Sequence, residues 1–212
     1  MSFTIVEAEQ RSDAWFQARA GRLTGSVASD MLAEIKSGES AGRRNLRTRL
    51  VVERLVGAPQ EDSFISAPMQ WGIDHEPDAF AAYEAVTGNL ARSTGFLSHD
   101  TLMAGCSLDG HVGDFDILVS LKCPTPTTHL GYLKAGTFPA AYVPQMLHEL
   151  YITGAQEYHF LSFDPRWPED LRVFFTTVKR DEAAIAAYAV KALTFLAEVD
   201  AEVEAVRGIR RV

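Results

Sequence analysis

A chain of 212 residues with 47% apolar content can fill one substantial core and is short for two. It contains no apolar run of about 18 residues, and Met1-Ser2-Phe3-Thr4 lacks a basic segment followed by an apolar stretch, so neither a membrane span nor a secretory leader is expected and a cytoplasmic location is. The formal net charge of −8 argues against a protein that coats nucleic acid through a uniformly basic surface, while leaving room for focused positive charge.

In chain order, Ser12 is a good N-cap for a helix over 12–20, with Asp13 in its first turn, Trp15, Phe16 and Arg19 at helical spacing, and Gly21 as its stop. A second helix is expected from Thr24 or Ser26 to about Ile35, followed by a polar, glycine-bearing loop over 36–42. The segment 43–56 carries Leu46, Leu50, Val51 and Leu55 on one face and ends at Gly57, so it reads as an amphipathic helix. It gathers Arg43, Arg44, Arg47, Arg49 and Arg54 against the single acid Glu53, either as a basic ligand-facing strip or as a solvated helix face. A helix over 68–87 should stop at Gly88-Asn89, with Pro77 marking a kink or a boundary between two shorter helices. Three antiparallel strands are expected at 96–98, 103–107 and 116–122, joined by turns at 99–100 and 110–114. A loop over 124–128, a helix over 139–153, strands at 157–163 and 172–178, and a C-terminal helix over about 181–206 complete a three-layer α/β order. The inner stripe of that last helix reads as Ile185, Tyr188, Ala189, Ala192, Leu196 and Val199.

Two residues in the sheet region suggest chemistry. A period of two over 116–122 places Asp116, Leu118, Ser120 and Lys122 on one face and the apolar Ile117, Val119 and Leu121 on the other. Lys122 ends an apolar strand, where an ammonium has no structural need to be, and Asp109 sits in the turn Ser107-Leu108-Asp109-Gly110. A carboxylate and an ammonium on neighbouring strands suit metal-assisted hydrolysis of a phosphodiester. His75, His111, His129 and His148 show no zinc-binding spacing, and Cys106 and Cys123 read as reduced, buried thiols.

These residues resemble the PD-(D/E)XK nuclease core, and more narrowly the lambda exonuclease or YqaJ-type viral recombinase family, whose members carry an S-x-D-G turn followed by E-x-K-C-P. Here the second element is Ser120-Leu121-Lys122-Cys123-Pro124. Three further segments match in the family's order: Trp15 to Ser26 resembles W-x-x-x-R-x-G-x-(I/L)-T-(A/G)-S, Gly72 to Ala79 resembles G-x-x-x-E-x-x-A, and Tyr142-Val143-Pro144-Gln145 resembles Y-x-x-Q. The resemblance implies a restriction-endonuclease-like core, a mixed central sheet flanked by helices, in a single nuclease domain over 1–212. It implies a Mg²⁺-dependent 5′→3′ exonuclease, with Mn²⁺ as a possible substitute, that digests one strand of double-stranded DNA from its ends for phage-type recombination. The partners it implies are a homotrimeric ring of the chain itself and a single-strand annealing protein, in a bacterial host, as a phage or prophage product. Asp109, Glu76 and the backbone oxygen of Leu121 would hold the metal, Lys122 would act on the attacking water or the phosphate, and Gln145 would orient the site. Arg19 and Ser26 would bind the terminal 5′-phosphate.

One position departs from the pattern. Ser120 stands where the family has glutamate, two residues before Lys122, so one negative charge is missing from the implied metal cage. An altered inactive chain, a naturally degenerate member, and a site into which Asp114 or Asp116 moves are the three readings. Asp116 lies about 13 Å along the strand from position 120 at ~3.3 Å per residue, too far without rearrangement. Restoring glutamate at 120 is expected to raise cleavage, and the alternative function is a catalytically silent DNA-end-binding protein that keeps the fold.

Overall fold

The computed structural model describes residues 3–60 and 65–209. Helix starts follow local side-chain chemistry. The Ser12 hydroxyl accepts the Trp15 amide at 3.2 Å to open α1 (Asp13–Arg19), and Ser40 does the same for the Arg43 amide at the head of α3 (Ala41–Val56). Between them lies α2 (Ala28–Leu32), a much shorter helix than expected, because Leu23–Thr24 form strand β2 and Gly25–Val27 a single 3₁₀ turn. The polar loop likewise ends earlier than expected, Ala41 and Gly42 being helical. Helix α4 (Ala67–Thr87) runs through Pro77 as one element rather than two, the local cost being the amide that proline cannot donate.

Two mixed sheets of four strands are formed among the described residues. The first has the order β1 (Phe3–Val6), β3 (Phe96–His99), β4 (Ala104–Cys106), β2; the second has β5 (Gly110–Val112), β6 (Ile117–Lys122), β7 (Glu157–Phe163), β8 (Val173–Lys179). The antiparallel pairing of β3 with β4 follows expectation, but β6 pairs antiparallel with β5 and parallel with β7, not with β4. Strands β1 and β5 and helix α5 (Pro126–Ala135) were not foreseen: β5 occupies part of the expected turn, and Thr125 caps α5 with Pro126 in its first turn, inside the expected loop. Helix α6 (Val143–Thr153) follows a 3₁₀ turn at Ala140–Tyr142, and α7 (Glu182–Arg207) closes the chain.

The α/β class and the helix-flanked mixed sheets agree with the sequence reading. Strand β6 is covered on both faces: Leu118 joins the core with Leu150 and Ile152, while Val119 and Leu121 pack with Ala79 and Tyr83 of α4. Both faces of β6 are therefore core over most of its length, and only its two ends, Ile117 and Lys122, are partly open to solvent.

The arginine-rich α3 lies along α7. Arg43 pairs with Glu198 at 2.8 Å, Arg47 pairs with Glu39 and, at 3.0 Å, with Glu202, and Arg54 pairs with Asp200. These arginines bind the chain's own acids. Partly exposed ion pairs contribute about 0 to 1 kcal/mol each, whereas Phe195, wholly buried on α7, anchors the same contact through its ring. Phe195→Ala is expected to cost about 3–5 kcal/mol in urea unfolding and Glu202→Ala no more than about 1 kcal/mol; the reverse order would make the ion pairs the main tie.

Candidate active site

Asp109 stands immediately before β5, and because β5 runs antiparallel to β6 its side chain meets the end of β6. Its Oδ2 accepts the Leu121 amide at 2.8 Å, the Lys122 ammonium at 2.9 Å and the Ser120 hydroxyl at 3.3 Å. All three donors converge on one oxygen, which leaves Oδ1 for a further partner. Burial works against the charged form of Lys122, but the Asp109 carboxylate, helped by Glu149, outweighs it, so the lysine pKa is raised and the side chain is a donor at neutral pH.

Glu76 comes from the opposite layer. It lies one turn before Ala79 on α4 and lines, with Asp109, Leu121, Lys122, Arg11 and Tyr142, a cleft of about 400 Å³. Its pKa is raised, first by burial and then by the charge of Asp109, with Arg11 and Lys122 pulling the other way. Two carboxylates across one cleft, beside the carbonyl-bearing end of a strand, form an all-oxygen donor set of the kind a hard divalent cation takes. Among the described residues no three His, Cys, Asp or Glu side chains are gathered tightly enough to form a ready-made cage. Asp74 and Asp78 are exposed and bonded to Gln70 and His75, as surface charges. Asp114 and Asp116 are exposed at the other end of β6, so neither reaches the position of Ser120.

Gln145 is half-buried on α6 and donates to Glu149 Oε1 at 2.8 Å. Glu149, only 3% exposed, also accepts the Tyr158 hydroxyl at 2.8 Å on Oε2. Its pKa is pushed up to about 7, chiefly by burial and then by the nearby charge of Asp109, against hydrogen bonds from Gln145 and Tyr158 and the charge of Lys122. Sequence reading missed this residue; the signal was Gln145 and Glu149 at i, i+4 with the acid next to the buried His148 and Leu150. Arg11 was missed as well. It lines the same cleft with a left-handed backbone, φ 70°, that few residues other than glycine adopt.

A second cluster lies nearby. Arg19 Nη2 donates to the Ser26 hydroxyl at 3.3 Å, and the Arg19 guanidinium sits 4.1 Å from the centroid of the Trp15 ring. The Trp15 indole in turn donates to Ser107 at 2.9 Å, two residues before Asp109, so one side chain ties the Arg19–Ser26 pair to the Asp109 turn. Trp15 is itself half-buried. The histidines carry structure: His148 bonds to Tyr188 and the Gly105 carbonyl, and His129 to Ser162 and the Leu171 carbonyl. Both cysteines are free thiols; the Cys123 thiol is pushed up to about 12 by burial and by Glu76, so it stays protonated.

Comparison with known proteins gives three findings. The family described as the YqaJ-like viral recombinase domain matches residues 14–156. The crystal structure of an alkaline exonuclease (LHK-Exo) from Laribacter hongkongensis, also solved in complex with dAMP, is 36% identical over 92% of this chain and 96% of that one, with a TM-score of 0.83. A phage related exonuclease from Haemophilus somnus 129PT shares the fold at 13% identity, over 87% of this chain and 96% of that one, with a TM-score of 0.67. Among curated proteins none matches.

The buried acid makes a pH prediction. The ordinary carboxyl value is 4.5 and the folded value of Glu149 is about 7, so between them the folded chain keeps a proton that the unfolded chain has released. Stability from this group is full below about 4.5 and falls as pH rises to about 7. Glu149→Gln should therefore gain on the parent between pH 4.5 and pH 8 by on the order of 3 kcal/mol in urea titrations. A difference that does not change with pH would show that the acid is not held protonated.

Proposed function

The chain belongs to the YqaJ-like viral recombinase family, and from that premise we propose that it is a divalent-metal-dependent exonuclease that degrades one strand of duplex DNA from its ends, 5′→3′, for phage-type recombination. The observation that carries the proposal is the convergence of Leu121, Lys122 and Ser120 on one oxygen of Asp109, with Glu76 across the cleft. The similarity to an alkaline exonuclease solved with dAMP, a nucleoside monophosphate, supports a nucleic-acid substrate.

Asp109, Glu76 and the Leu121 carbonyl would hold Mg²⁺, or Mn²⁺ in its place, which when bound polarises the scissile phosphate and activates water. The chain's own residues do the rest. Lys122, kept charged by Asp109, offers its ammonium to the attacking oxygen or to the charge that grows on the phosphate; as a donor it stabilises and orients rather than deprotonates. Arg11 brings a second positive charge to the same cleft, suited to a DNA phosphate. Gln145 holds Glu149 and so shapes the α6 side of the site. Arg19 and Ser26 would take the terminal 5′-phosphate: a guanidinium can bind two of its oxygens, and stacking on Trp15 fixes the plane of the fork. The Trp15–Ser107 bond would hold that pocket at a set distance from Asp109, which is what stepwise removal of nucleotides requires.

The family resemblance supplies the remaining parts of the proposal: a single nuclease domain over 1–212, a homotrimeric ring around the duplex, delivery of the 3′ strand to a single-strand annealing protein, and a cytoplasmic place in a bacterial host as a phage or prophage product. No helix among the described residues is long and apolar enough to cross a membrane. The second reading, a silent DNA-end-binding protein, is favoured by one observation, the serine at position 120.

Incubation of a linear duplex with Mg²⁺ or Mn²⁺ separates these readings. Nucleotide release supports the nuclease, binding without release supports the silent protein, and neither removes both. An active chain should digest 5′-phosphorylated ends faster than 5′-hydroxyl ends, and Arg19→Ala should reduce that preference roughly ten- to a hundredfold. Equal rates on the two ends would remove the phosphate role of Arg19 and Ser26.

A further inference from the structure

We propose that Glu149 supplies, from helix α6, the carboxylate that position 120 lacks on strand β6. The inference rests on the nuclease reading and concerns this chain's own solution to the missing charge.

The sheet register places Ser120 and Lys122 on the face of β6 that continues into Tyr158 and Phe160 of β7, since Leu118 pairs with Tyr158 and Ser120 with Phe160. Glu149 lies over that face. Its Oε2 accepts the Tyr158 hydroxyl at 2.8 Å, Tyr158 and Ser120 share this face on adjoining strands, and Ser120 donates to Asp109 at 3.3 Å. Glu149, Tyr158, Ser120, Asp109 and Lys122 thus follow one another along this face, and in this arrangement Glu149 acts on the cation site through Tyr158 and Ser120. The charges of Asp109 and Lys122 both bear on it directly.

Three observations say that this acid is more than a core filler. It is buried with no cation paired to it among the described residues, and its two hydrogen-bond donors, Gln145 and Tyr158, are neutral. A buried carboxylate without a cation in contact is costly, and two neutral donors offset that cost only in part. The chain also leaves it room: a Cβ at Gly25 would lie 3.1 Å from Glu149 Oε1 and 3.4 Å from its Cγ, so the turn above the acid has no side chain there. Finally, Ser120 is itself only 3% exposed, in space already shared with Tyr158 and Asp109. A glutamate added at 120 would face a second buried acid, so the expectation that Ser120→Glu alone restores the site is revised. The two acids are alternatives, and relocation should require both changes.

The test is Mn²⁺ binding, by calorimetry and by the electron paramagnetic resonance signal of free Mn²⁺, in the full chain and three variants, with duplex digestion measured alongside. Glu149→Gln keeps the shape and one accepting oxygen while removing the charge, and should weaken Mn²⁺ binding roughly 10- to 100-fold, as loss of a supporting carboxylate does, with digestion falling in step. Ser120→Glu combined with Glu149→Gln should recover most of the binding, and Ser120→Glu alone should recover less than the pair. Melting temperatures at fixed pH establish that each variant is folded; if Glu149→Gln is not, the folded double variant decides, parent-like binding supporting relocation and weak binding overturning it. If the parent binds Mn²⁺ and digests DNA while Glu149→Gln matches it in both, the inference fails and the nuclease reading stands. If the parent neither binds Mn²⁺ nor digests DNA, the nuclease reading fails and this inference with it.

Discussion

Asp109 Oδ2 receives the Leu121 amide and the Lys122 ammonium at 2.8 and 2.9 Å, and through these bonds the turn after β4 is fixed to the end of β6. The amide fixes the carboxylate's place, because a backbone donor cannot swing away as a side chain can. The ammonium gains a partner in a half-buried setting that would otherwise disfavour its charge. With one oxygen committed to the strand, the carboxylate turns its remaining capacity towards the cleft where Glu76 arrives from α4. Charge-assisted bonds of this kind are stronger than neutral ones, and their worth grows away from water.

The two helical layers then have distinct tasks. Helix α4 seals one face of β6 with Ala79 and Tyr83 and, one turn earlier, presents Glu76. Helix α6 covers the other face with Leu150 and Ile152 in the core and directs Gln145 and Glu149 towards the strand end. The cation and the phosphate chemistry that we propose need this meeting of layers, since no single element carries enough donors. The tie from Arg19 through Trp15 to Ser107 sets a second cluster beside the first without a long loop between them.

Much of this was legible in the sequence where the signal is local. Ser12, Gly57 and Gly88 mark helix ends because capping is decided by neighbouring residues, and Lys122 stands out because an apolar run rarely ends in a charge without a partner. What was not legible depends on pairing at a distance. Gly110–Val112 reads as turn until β6 is there to hydrogen-bond it, Leu23–Thr24 is a strand only because β4 lies alongside, and three of the arginines of α3 look like a nucleic-acid surface until α7 brings its acids against them. Glu149 is the sharpest instance. On a helix it is an ordinary residue, and its character comes from burial against Tyr158 and from the short side chain at position 120, which lies on a different element.

The account stands on Asp109 and Glu76 serving one cation beside Lys122. Anomalous scattering from crystals of the chain grown with Mn²⁺ addresses this directly. The expected result is a single strong manganese peak within coordinating distance of both carboxylates and of the Leu121 carbonyl. A peak elsewhere, or none at a Mn²⁺ concentration that supports DNA digestion, would contradict it.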